Sequence, residues 1–131
     1  KHKIPLYAKE QIPDELERNV DQELADLTDS EKGAVIDAHY AGYFNRDKPH
    51  VLKVLLTCDW QERLKRATSR IPTHSETAQD IKKREEGLDA KFRKLYANEN
   101  FLDPKFFDLV IDTTNTRSEQ VVQKIINKFH S

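Results

Sequence analysis

Arg63, Arg66 and Arg70 recur at i, i+3 and i+7 directly after an apolar run. On a helix advancing by 3.6 residues per turn they fall within about 60° of one another, so three guanidiniums share one face. Like charges at that spacing repel by roughly 0.2–0.5 kcal/mol per exposed pair unless something anionic sits among them. A planar fork of donors suits phosphate oxygens. The same spacing also serves an ordinary solvated basic face, so the neighbouring segments must decide. A second basic feature follows. Ile81, Leu88, Phe92 and Leu95 form an apolar stripe at helical spacing, and Arg84 and Lys91 run along one edge of it. There each stem can pack on apolar surface while the head reaches across a cleft, or the cations simply snorkel to solvent. Ile71-Pro72-Thr73-His74 is a short hinge between the two helices. Two cation-edged helices on a short connection have the form of a lid that closes over a polyanion.

The composition narrows what such a lid could serve. A chain of 131 residues fits one domain spanning 1–131, with the lid at about 66–96. Charged residues make up 34% and apolar ones 37%, with a net charge of −1. That balance argues against a sequence-independent binder of nucleic acid polymers, and no block of like charge forms an interaction tail. No apolar run approaches membrane-spanning length, and no signal-peptide pattern occurs. Cys58 is the single cysteine and lies in an apolar stretch, which points to a reducing, cytoplasmic setting. The sequence contains no Met, as expected of a fragment.

Periodicity alternates between helix and strand. Pro13 opens a helical stretch with Leu16, Val20, Leu24 and Leu27 on one stripe. Ala34 to Asp37 reads as a short buried strand, and Val51 to Cys58 as an interior parallel strand. Asp59-Trp60-Gln61-Glu62 can cap the arginine helix, and Thr73-His74-Ser75-Glu76 is a second capping box opening a long helix to about Tyr96. Phe107 to Ile111 is a third strand, ended at Asp112. After the polar Thr113 to Arg117, Val121, Val122, Ile125, Ile126 and Phe129 make a final amphipathic helix. Strands separated by helices predict βαβ crossovers, hence an α/β fold with a parallel sheet flanked by helices.

Four segments together resemble the cytidylate kinases, in the shorter archaeal-type branch of the P-loop nucleoside monophosphate kinases. Gly33 to Phe44 (GAVIDAHYAGYF) resembles the family's third-strand signature. Glu62 to Arg70 reproduces its three-arginine helix in spacing. Ile81 to Tyr96 (IKKREEGLDAKFRKLY) resembles its lid helix, and Phe107 to Ile126 its last strand and helix. The resemblance covers roughly residues 20 to 130 and implies phosphoryl transfer from ATP, with Mg²⁺, to CMP or dCMP. It gives Arg66, Arg70 and Arg84 the part of lid cations around the transferred phosphoryl, with Arg63, nearer the helix start, among the substrate-binding residues. Asp37, His39, Gly42 and Lys91 fall at positions that would contact the acceptor nucleotide. Asp37 could otherwise end a strand, and Gly42 could merely make a turn.

The sequence also departs from that family. Ala38-His39 stands where the family has Gly-Arg, and Lys91 where it has Arg, which costs bidentate geometry at both places. No Gly-x-x-x-x-Gly-Lys-Ser/Thr occurs, and the three glycines could not build one. The resemblance therefore places the chain after the family's first strand and phosphate loop. Its two strands near Val35 and Val54 would lack a neighbour between them. The expected protein is a monomer when complete, with association possible for the 131 residues alone. Two other readings fit the same residues. One is a catalytically inactive kinase-like nucleotide-binding or regulatory module, and the other a P-loop kinase for another small acceptor.

Overall fold

A computed structural model describes residues 14–29, 33–69 and 77–131. Helix α1 (Asp14–Leu27) and the short α2 (Ala41–Phe44) precede strand β1 (Val54–Thr57) and helix α3 (Trp60–Thr68). Helix α4 (Ala78–Leu95), a 3₁₀ turn at Pro104–Phe106, strand β2 (Leu109–Asp112) and helix α5 (Ser118–Phe129) complete the order. The strands pair in parallel, with Val54 opposite Leu109 and Thr57 opposite Asp112. Helices therefore lie between parallel strands, as the alternating periodicity predicts. Neighbouring positions on β1 and β2 point to opposite faces, and Leu55 and Ile111, one on each face, are both buried. Helix α5 packs against β2 with Val121 buried.

The strand expected at Ala34 to Asp37 is not one. Residues 33–38 carry no regular structure, and Val35 is fully exposed. A strand persists through hydrogen bonds to a neighbour, and among the described residues β1 pairs with β2 alone. No sheet edge reaches residues 34–37, so their β-prone side chains gain nothing by extension into a ladder. The predicted opening of the long helix also shifts. Thr73 to Glu76 and the hinge at 71–74 lie outside the described residues, and α4 opens instead at Thr77. There Thr77 Oγ1 accepts from Asp80 N at 3.1 Å while Thr77 N donates to Asp80 Oδ2 at 3.1 Å. This reciprocal pair satisfies two groups that a helix start leaves open.

The core is aromatic and sits beside the sheet. Tyr40, Tyr43, Leu88, Phe92, Phe101 and Phe106 are buried together, with Phe44, Tyr96, Ala97 and Phe107 packed around them. Ring pairs meet edge-on, as at Tyr43–Phe92 (4.7 Å between centroids) and Tyr40–Phe101 (4.8 Å). That arrangement sets the positive edge of one ring against the negative face of the next. Tyr40 cannot be buried with an idle hydroxyl, and it donates to Leu88 O at 2.8 Å. This cluster locks α2 against α4, which fixes where the cationic edge of α4 stands.

Candidate functional site

The carboxyl ends of β1 and β2 lie side by side because the strands are parallel and in register. Ligands of open α/β sheets bind at such an edge. Thr57, Cys58 and Asp59 leave β1 there, and Asp112, Thr113 and Thr114 leave β2. Asp59 caps α3, its Oδ1 accepting from Glu62 N at 2.8 Å. Its own N–H donates to Thr114 Oγ1 at 2.9 Å, and that hydroxyl donates to Asp112 Oδ1 at 2.6 Å. Asp112 also accepts from Thr114 N at 2.9 Å. Hydrogen bonds from the Thr114 hydroxyl and then its backbone N–H hold the Asp112 carboxyl below the usual value of 3.8. Two loops are thus tied into one ledge.

Arg66 lies along this ledge. Its Nε donates to Glu62 Oε2 at 2.9 Å, and its Nη2 donates to Thr113 O at 2.7 Å. A longer contact joins Nη1 to Thr113 Oγ1 at 3.3 Å. Arg63 faces elsewhere. It forms an ion pair with Glu85 of α4, and its guanidinium stands over the Trp60 ring at 5.5 Å. Lys82 of α4 stands over the same ring at 5.2 Å. The two predicted basic helices therefore do meet, at a seam made by Trp60, Arg63, Lys82 and Glu85. The anions that the arginine spacing requires are present within the chain, as Glu62 for Arg66 and Glu85 for Arg63. Arg84 adjoins this seam on α4 and is half-buried, whereas Arg70 lies outside the described residues.

The other predicted positions are spread over the molecule. Asp37 and His39 are exposed in the segment leading into α2. Gly42 lies inside α2, and a Cβ there would stand 2.3 Å from Phe107 Cε1 and 2.5 Å from Cζ. The close approach that glycine permits at this position is to Phe107. Lys91 is buried near the far end of α4, its Nζ 3.9 Å from Asp14 Oδ1. One turn of α4 or more separates it from the Arg63–Glu85 seam.

Sequence reasoning passed over several residues at this site and at the opposite, amino end of the two strands. Trp60, Lys82 and Glu85 could have been flagged by their place on the edges of two capped helices. Thr113 and Thr114 read only as a polar connection. Lys53, in the β1 approach, is buried and donates from Nζ to Lys48 O at 2.9 Å and Val51 O at 3.0 Å. Asp108 Oδ2 stands 3.4 Å from the same ammonium and accepts from Lys53 N at 2.9 Å. A lysine inside an apolar run was the available signal.

A model of the cytidylate kinase-like family matches residues 2–115. The chain belongs to that family. It is also similar to a cytidylate kinase of Sulfurisphaera tokodaii, with 28% identity over 128 residues. That alignment covers 96% of this chain and 69% of the relative. No solved structure matches it. Among the described residues, no group of three or more His, Cys, Asp or Glu is placed to hold a metal ion. Mg²⁺ does not require such a group, since one or two carboxylates and substrate phosphates usually hold it. No helix among them is long and apolar enough to cross a membrane.

Proposed function

We propose that this protein takes part in phosphoryl transfer from ATP to a nucleoside monophosphate, with CMP or dCMP as the acceptor. The observation that carries the reading is the meeting of α3 and α4 at Arg63 and Glu85, beside the carboxyl ends of two parallel strands. Cations gathered there can neutralise charge on a phosphoryl group as it passes between two oxygens. In that step an acceptor phosphate oxygen forms a bond to the γ-phosphorus, and the bond from that phosphorus to the β,γ-bridging oxygen breaks. Positioning and charge neutralisation are most of what a protein contributes to such a reaction. Arg66, Arg70 and Arg84 are assigned to the transferred group, and Arg63 to the nucleotide beside it. Asp37, His39, Gly42 and Lys91 are assigned to the acceptor side, where Lys91 acts from a buried position and Gly42 through the placement of α2. Mg²⁺ would enter with the ATP phosphates.

A second reading is a nucleotide-binding module without catalysis, favoured by Ala38-His39 and Lys91 standing where the family resemblance expects Gly-Arg and Arg. Kinase assays on the protein as its gene encodes it separate the two. ATP, Mg²⁺ and a panel of CMP, dCMP, UMP and AMP should give the highest kcat/KM with the cytidine nucleotides. Arg84→Ala should lower kcat at least tenfold with a smaller change in KM, the mark of an interaction made in the transition state. Nucleotide binding without turnover would select the second reading. Turnover with an acceptor outside the panel would replace the cytidine assignment.

A further inference from the structure

Arg63 is reserved by a carboxylate of its own chain. It reaches from α3 to Glu85 on α4, and both side chains are partly exposed, at 35% and 43%. A partly exposed ion pair between two helices contributes little to stability, so it can be broken at small cost. Trp60 and Lys82 complete the contact, each belonging to a different one of the two helices. A carboxylate and a phosphate compete for the same guanidinium donors.

We propose that Glu85 occupies Arg63 in place of a nucleotide phosphate, latching α3 to α4 until an incoming nucleotide displaces it. The proposal rests on the reading of Arg63 as a nucleotide-binding cation. Its consequence is that the chain's own carboxylate lowers nucleotide affinity. Binding must first break the pair, so the apparent dissociation constant is the intrinsic one divided by the fraction of molecules in which Arg63 is free of Glu85. The same exchange frees α4 to move relative to α3, coupling occupancy to the position of the helix that carries Arg84. Trp60 reports on it, being the single tryptophan and lying beside both cations.

The test uses the protein as its gene encodes it, with CMP and ATP as separate probes and calorimetry as the measure of affinity. Glu85→Gln keeps the side-chain shape and removes the charge, and its melting temperature should stay within a few degrees of the wild type. It should bind at least one of the two nucleotides threefold or more tightly. Glu86→Gln, on the adjacent exposed position of α4, controls for net charge and should leave affinity unchanged. In an Arg63→Ala background, Glu85→Gln should bring no gain. Nucleotide binding to the wild type should alter Trp60 emission, and Glu85→Gln should reduce that alteration. Equal affinities of Glu85→Gln and wild type overturn the latch, as does the same gain in Glu86→Gln or in the Arg63→Ala background. Those outcomes leave Arg63 as a nucleotide cation. If Arg63→Ala alone binds both nucleotides as the wild type does, the underlying reading of Arg63 fails, and the latch with it.

Discussion

Gly42 and Phe107 meet so closely that a single methyl group decides the packing between them. A Cβ at position 42 would need Phe107 to swing away or α2 to shift, because two ring atoms lie within 2.5 Å of it. Both movements disturb the aromatic cluster that Phe107 packs against. Gly42→Ala should therefore destabilise the protein by about 1–3 kcal/mol, the range for overpacking a well-filled core. Chemical denaturation measures this, and Phe107→Leu in the Gly42→Ala background should recover part of the loss. Stability equal to the wild type would mean that the ring yields freely. The sequence marks Gly42 as a place of close approach, yet the approaching group could not be read from it. Phe107 comes from a distant segment, and only the fold joins the two. His39 carries a separate prediction. An arginine would offer a permanent charge and two parallel donors where a neutral imidazole offers one. His39→Arg should raise kcat/KM for CMP and dCMP more than for AMP. A uniform change across acceptors would mean that His39 does not touch the acceptor.

At the scale of elements, Arg66 is a stitch between α3 and the turn after β2. The cap at Asp59 and the helix it starts were both legible, because an Asp followed three residues later by Glu has a local meaning. Glu62, however, bonds Arg66 instead of returning to the cap residue's N–H, which Thr114 takes up. That exchange was hidden in the sequence. It depends on the parallel pairing that sets Thr57 beside Asp112, a contact between residues from two separate segments. Arg66→Ala should lower stability by about 1–2 kcal/mol through the lost hydrogen bonds, each worth about 0.5–1.5 kcal/mol net. Arg66→Lys should recover only part, since one ammonium cannot serve Glu62 and Thr113 from a planar fork. Thermal melting gives the stability, and amide exchange at Thr113 and Thr114 gives the location. If exchange there is unchanged in Arg66→Ala, the stitch does not hold the turn.

At the scale of the whole molecule, α1 is fastened to the rest largely by polar contacts. Arg18 donates to Leu95 O at 3.1 Å, and Tyr96 donates from its hydroxyl to Asp21 Oδ2 at 2.6 Å. Lys94 lies 2.7 Å from Asp14 Oδ2, and past the helix end Lys48 lies 3.1 Å from Asp29 Oδ2. The stripe of Leu16, Val20 and Leu24 is only partly buried, so the helix its spacing announced has a weaker apolar anchor than its sequence suggests. Periodicity shows that a helix forms; the ion pairs that dock it join separate segments and leave no local pattern. The Lys94 hydrogen bond holds the Asp14 carboxyl below 3.8, and that of Lys48 does the same for Asp29. A carboxyl whose folded pKa is depressed stabilises the fold above its unfolded pKa, and that contribution is lost as pH falls through the folded value. Acid should therefore loosen α1 in the window below 3.8, while the β1–β2 pair, joined through backbone hydrogen bonds, resists longer. Amide protection factors, corrected for the intrinsic pH dependence of exchange, should fall first in residues 14–27. Added salt at neutral pH should act in the same direction because these pairs are exposed and screened. The double variant Asp14→Asn, Asp29→Asn should reproduce the acid effect at neutral pH and make α1 protection insensitive to pH over the same window. If α1 and the strands lose protection together, α1 is held by the common core, and the ion pairs at its two ends do not set its stability.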